Sequence, residues 1–289
     1  MYLVSYSIAP MIRKRFITRI FALVLIVSAC HQVGGNSFVP APPGYDYSSH
    51  STVLLKRPLR EISGIDFISE KELVAINDEA GKIFSINPSN GEFTVFEFGS
   101  KGDYEDVVRT KDSYYVLGSN GFLYEVDIKN KTQKAVFEED FGKHMEFESL
   151  CYDKQQNQLL LICKECGKHQ NSISAFVFDL NTKTFSTNPY FTISWEEIRK
   201  MAKDNSIECR PSAAAINPVN NKLYIIASLG KVLLESTIGG KLEAVYNLNP
   251  DHFPQPEGIT FGTNGDMYIA NEGVEGKASL LKFKYVKAK

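Results

Sequence analysis

Histidine, tryptophan and cysteine are scarce in this chain, and positive charge is not in excess. Among 289 residues there are five His, one Trp, five Cys, and 32 Lys and Arg against 34 Asp and Glu. Without a basic surplus or a basic stripe, nucleic acid is not an expected partner. Few histidines leave few general bases. His31, His50, His169 and His252 fall in loop-like or tether-like stretches. Only His144 precedes a strand near a candidate site, and a Ser-His-Asp set would need Ser63 or Ser212 beside it. A solvated loop histidine is the simpler reading. No glycine-rich loop follows a strand and opens a helix, so a nucleotide-phosphate site is not indicated. The apolar run Ile20–Val27 is too short to span a bilayer.

That short run has its own meaning. A basic stretch (Arg13, Lys14, Arg15, Arg19) leads into it, and "VSAC" (Val27 to Cys30) closes it. This is the pattern of a lipoprotein signal peptide over residues 1–29, with Cys30 lipidated after cleavage. An uncleaved anchor is the alternative, and Met11 offers a second start. His31, in place of Asp after the cysteine, points to the outer membrane. Removing the four basic residues leaves 28 against 34, a net charge of −6. Residues 30–50, rich in Gly, Pro and Ser, read as a tether from the lipidated cysteine. Residues 51–289 are long enough for one all-β domain with a full core, expected to be a monomer.

The domain is repetitive. A polar-then-apolar start recurs as "ISGI" (Ile62 to Ile65), "YEDV" (Tyr104 to Val107), "FESL" (Phe147 to Leu150), "PSAA" (Pro211 to Ala214) and "PEGI" (Pro256 to Ile259). Each start leads into a second apolar run, a polar break and a third run, and the first four units add a fourth. Four short β-branched and aromatic runs, with Gly, Asn and Asp turns between them, make one blade of a β-propeller. The fifth unit has only three runs. Ser51–Pro58, upstream of the first unit, supplies the missing strand and closes the ring, which removes an exposed edge. Five blades are therefore expected. A six-bladed ring would need another copy in the long gap between the third and fourth units. That gap holds "SWEEIRKMAKDNS" (194–206), an inserted helix with a Ser194/Glu197 capping box and Trp195, Ile198 and Met201 on one face.

The ordered steps "SG", "YED", "ES", "SAA" and "PEG", ending in "PEGITFGTNGDMYIANEG", resemble the SdiA-regulated (YjiK-like) family of exported bacterial proteins. The likeness covers roughly residues 52 to 287. It implies a propeller in the cell envelope and no particular reaction.

Propeller topology places the starts of first strands and the ends of second strands on one face. Ser63, Glu105, Glu148, Ser212 and Glu257 are thus expected to ring the channel mouth. Asp78, Glu79, Ser119, Asn120, Lys164, Glu165, Ser228, Asn271 and Glu272 should lie around them. Three crowded carboxylates, Glu105, Glu148 and Glu257, require a cation, a paired Lys or Arg, or protonation. Calcium suits such a site, since it takes oxygen ligands in irregular geometry. Backbone hydrogen bonds, with Lys164 and Arg210 balancing the charge, are the structural alternative. The expected role is that of a binding or scaffolding lipoprotein whose ringed face takes a small molecule, glycan or protein. The competing function is a metal-dependent hydrolase, such as a phosphoesterase or lactonase, in which the cation activates water. Cys163 and Cys166 could be half a zinc site but lack a second C-x-x-C. Cys151 and Cys163 are expected to pack in the core. Cys166 and Cys209 are expected to approach closely enough for a disulfide.

Overall fold

The computed structural model describes residues 41–167, 171–273 and 276–287. The expected signal peptide, Cys30 and the first part of the expected tether lie outside them. Among the described residues, twenty-one strands form five antiparallel sheets. The first, β1 (His50–Leu54), stands apart from its sequence neighbours. Blade one is β2 (Ile62–Ser69), β3 (Glu72–Asn77), β4 (Lys82–Ile86) and β5 (Phe93–Glu97). Blade two is β6 (Tyr104–Arg109), β7 (Ser113–Gly118), β8 (Leu123–Asp127) and β9 (Gln133–Phe137). Blade three is β10 (Met145–Asp153), β11 (Gln158–Cys166), β12 (Ser172–Asp179), β13 (Thr184–Phe185) and β14 (Phe191–Ser194). Blade four is β15 (Ala213–Asn217), β16 (Lys222–Ala227), β17 (Val232–Thr237) and β18 (Leu242–Asn247). Blade five is β19 (Pro256–Phe261), β20 (Met267–Asn271) and β21 (Ser279–Phe283), completed by β1.

This is a five-bladed β-propeller. Its closure is the one expected: β1 pairs antiparallel with β21, His50 opposite Phe283 and Leu54 opposite Ser279. The outer edge of blade three is broken into β13 and β14, which both pair with β12. Pro189 lies in the interruption, where a residue without an N–H costs the ladder nothing.

The core is divided among the seams. Five clusters of buried apolar side chains each join two neighbouring blades. Alternation along each strand supplies both faces of each sheet, so every blade packs on both sides. The inserted helix α1 (Trp195–Ala202) covers the seam between blades three and four. Ser194 caps it, accepting from the Glu197 amide at 3.1 Å, and Lys203 ends it in the left-handed region at φ 56°. Trp195 and Ile198 are buried there, whereas Met201 is 40 % exposed and does not join the core face.

Residues 41–49, expected as tether, are docked on blades four and five. The Tyr47 ring is buried against Phe253 and Phe283. The Tyr45 hydroxyl donates to the Gly265 carbonyl at 2.6 Å and accepts from Asn217 Nδ2 at 2.9 Å.

Hydrogen bonds near the channel bind blade to blade. Asp66 Oδ2 accepts from the Arg109 amide (2.7 Å), joining blades one and two. Asp106 Oδ2 accepts from the Leu150 amide (2.7 Å), joining two and three. Ser212 Oγ donates to the Pro256 carbonyl (2.7 Å), and Thr260 Oγ1 accepts from the Phe67 amide (3.0 Å), joining four to five and five to one. At the remaining seam Arg210 pairs with Glu165. Gly64 lets blade two come this close: a Cβ there would lie 2.6 Å from the Asp106 Cα.

Candidate functional site

Four of the five first strands carry a β-bulge at the mouth end. The register slips between Ile62 and Ile65, Tyr104 and Asp106, Phe147 and Ser149, and Pro256 and Gly258. The residues left without a partner include Ser63, Glu105, Glu148 and Glu257. A bulge re-aims the side chain it carries, and here it turns polar groups toward the channel. In blade four Ser212 takes the same place, just before β15.

Together these side chains line a cavity of about 270 Å³. Of the residues expected there, Ser63, Asp78, Glu105, Glu148, Lys164, Ser212, Glu257 and Glu272 line it. Glu79, Asn120, Arg210 and Asn271 do not. Asn120 caps its own turn by accepting from the Phe122 amide (3.0 Å). Asn271 is buried and donates to the His252 carbonyl and to Ser279 Oγ, both at 3.2 Å. Arg210 is held by Glu165. His144 is exposed and does not line the cavity.

Glu61, Asp103, Glu146 and Gln255 also line it and were not foreseen. Each stands two residues before Ser63, Glu105, Glu148 or Glu257. That two-residue spacing is the strand period, and it was the signal available in the sequence.

Among the described residues, eight carboxylates therefore share the cavity with one cation, Lys164. Lys164 pairs with Glu148 and lies 3.5 Å from Glu146. Burial, then the charges of Glu148 and Asp103, push the Glu105 carboxyl up to about 9. Burial, then Glu148 and Glu272, push Glu257 up to about 8. Glu148 is raised to about 7 because its burial outweighs the pull of Lys164. Burial alone would lower Lys164, but Glu148 and its neighbours raise it, so the amine stays charged. Burial and neighbouring carboxylates also raise Asp78 and Glu272. The mouth is thus short of positive charge, and its carboxylates hold protons near neutral pH in place of a cation. Chemically it can bind a cation, or give and take a proton. Among the described residues no three Asp, Glu, His or Cys side chains converge into a metal cage.

The cysteines differ from expectation. Cys163 and Cys166 are joined in a disulfide, with Cα atoms 5.6 Å apart, while Cys151 and Cys209 are free and buried. The expected Cys166–Cys209 bond is therefore absent. Cys166 is satisfied within its own strand end, and Cys209 points into the apolar seam between blades three and four. The zinc alternative falls with it, since both sulfurs of the C-x-x-C are consumed.

A family model described as SdiA-regulated matches residues 47–274. No curated protein sequence matches the chain significantly. Among solved structures, a glutaminyl cyclase from Myxococcus xanthus is similar at a TM-score of 0.57 and 9% identity, covering 82% of this chain and 96% of that one. A luciferin-regenerating enzyme is similar at 0.50 and 11% identity, covering 83% and 97%. A chain of a nidogen/laminin complex is similar at 0.50 and 11% identity, covering 75% and 74%. At such identities these likenesses speak for the fold alone.

Proposed function

The chain belongs to the SdiA-regulated family, and from that premise we propose that it is an envelope-anchored binding propeller whose acidic channel mouth takes a cationic ligand. The observation that carries this reading is the imbalance of eight carboxylates against Lys164 in one small cavity. A ligand bringing positive charge releases protons from Glu105, Glu148 and Glu257 and replaces like-charge repulsion with attraction. Anchoring through Cys30 rests on the "VSAC" motif, with an outer-membrane position as the corresponding proposal. The Cys163–Cys166 bond is in keeping with an oxidising compartment outside the cytosol.

An organic amine, spread over several carboxylates, fits the mouth better than a compact ion. Calcium would be held by Glu105, Glu148 and Glu257 only after they draw closer together, since among the described residues they form no cage as they stand. A serine form of the hydrolase reading lacks, among the described residues, a nucleophile paired with a base. Ser212 is bound to the Pro256 carbonyl, and among the described residues no histidine lines the mouth.

Calorimetric titration with spermidine and, separately, with calcium chloride tests the proposal at pH 6 and pH 8.5. Binding of either should tighten at the higher pH, as the carboxylates lose their protons, and weaken in Glu257→Gln. Failure of both cations to bind at either pH refutes it.

A further inference from the structure

The alternation that builds the acidic mouth continues down the first strands and creates a second, different site. Two residues beyond each start the side chains are apolar: Ile65, Leu150, Ala214 and Ile259 lie on the inner strands between the two ends. Beyond them opens a cavity of about 760 Å³. Four residues past the start, its wall carries Phe67, Arg109, Tyr152 and Phe261. Six residues past, Lys111 and Lys154 stand at its rim.

The charge here is the reverse of that at the mouth. Arg109, Lys111 and Lys154 form no ion pair among the described residues. Arg109 Nε is buried without a hydrogen-bond partner. Leaving a charged donor unmatched is costly. The two carboxylates of the cavity do not answer this need. Asp66 Oδ1 accepts from the Phe67 amide at 2.8 Å, and its Oδ2 accepts from the Arg109 amide. Asp153 accepts from the amides of Gln155 and Gln156 and from Gln158 Nε2. Both acids are committed to the backbone and turns; Lys154 acts on Asp66 through its charge but makes no ion pair with it.

We propose that this second cavity binds an organic anion with an apolar body, a medium-length acyl or aryl carboxylate. Its carboxylate meets Arg109, whose planar fork suits two oxygens. Lys111 and Lys154 add long-range attraction at the rim. The apolar body lies against Phe67, Tyr152 and Phe261, and pockets of this size and mixed lining are the usual ligand sites. This site is independent of the cation-binding reading of the opposite end.

The test uses the full chain and two fluorescent probes of similar apolar body. One, 8-anilinonaphthalene-1-sulfonate, is anionic; the other, N-phenyl-1-naphthylamine, is neutral. The anionic probe should bind with one site per chain and be displaced by decanoate but not by decanol. Lys111 and Lys154 are exposed, so the double variant Lys111→Gln/Lys154→Gln keeps the fold. It should weaken the anionic probe by about tenfold and leave the neutral one within about twofold. Arg109→Gln should weaken the anionic probe further, while Glu257→Gln, at the other end, should leave it unchanged. Equal affinity of the double variant and the native chain for the anion overturns the proposal, as does equal displacement by decanoate and decanol.

Discussion

Asp106 accepts two backbone hydrogen bonds of 2.7 Å, one on each oxygen: Oδ1 from its neighbour Val107 and Oδ2 from Leu150 in the next blade. The side chain is 4 % exposed, so neither amide has water to fall back on. Asp106→Ala leaves both unpaired and should cost roughly 2–4 kcal/mol. Asp106→Asn should also destabilise, because its NH2 group must face one of the two N–H donors. Urea denaturation of the three proteins checks this; an Asn variant as stable as the native chain would show that one of the two bonds is dispensable.

The raised carboxylates give stability a definite pH trend. Glu105, Glu148 and Glu257 titrate at about 9, 7 and 8 in the folded chain, from an ordinary value of 4.5. Between these limits the folded chain holds more protons than the unfolded one, so unfolding becomes easier as pH rises. Their contribution is complete below about pH 4.5 and is lost as pH passes through 7 to 9. The thermal midpoint should fall from pH 6 to pH 9. Glu257→Gln removes one such group. At pH 9 it should be more stable than the native chain by about 1–3 kcal/mol, with a flatter profile. A variant that follows the native profile would place Glu257 in contact with solvent.

Thiol chemistry separates the two cysteine pairings. In residues 41–289, Cys151 and Cys209 should resist labelling in the folded protein, because both are buried and burial raises both thiols. Denaturation without reductant should expose two thiols, and reduction should expose four. Peptide mapping should find Cys163 joined to Cys166. A peptide linking Cys166 to Cys209 would contradict the structure.

Truncation tests the closure. A chain beginning after Leu54 loses β1, the Tyr47 ring and the Tyr45 hydrogen bonds, and leaves β21 as an open edge. It should unfold at a clearly lower denaturant midpoint and associate into oligomers, measured by light scattering. A monomer with the native midpoint would mean that β1 contributes nothing to the ring.

The fold was legible because each blade repeats the same order of apolar runs and turns, and because the last unit lacked a strand that the first residues could supply. The inner ring of the mouth was legible for the same reason: Ser63, Glu105, Glu148, Ser212 and Glu257 begin equivalent strands. The outer ring was not, because Glu61, Asp103, Glu146 and Gln255 stand just before the repeated starts, outside the pattern that defines each unit, although their spacing from the inner ring is constant. Asn271 was misplaced because the end of a second strand can turn inward as well as toward the channel. Cys166 was misassigned because strand alternation turns Cys163 into the core, and a core position does not by itself show that it bonds the cysteine three residues on. The second cavity was not legible because its aromatic and basic members are spread over blades one, two, three and five, and no short stretch displays them together.

The pairing of β1 with β21 puts the first and last strands of the domain in one sheet, more than two hundred residues apart along the chain. During synthesis, β1 emerges before any strand it can pair with, and it waits until β21 has been made. Blades one to four can form from local hairpins as they appear, but the ring stays open until the last residues are available. Contacts of this range slow folding, because the loop must be closed before the pairing rewards it. For the envelope-anchored chain proposed above, that delay would keep the domain in an open, threadable state until its C-terminus had crossed, with closure on the far side.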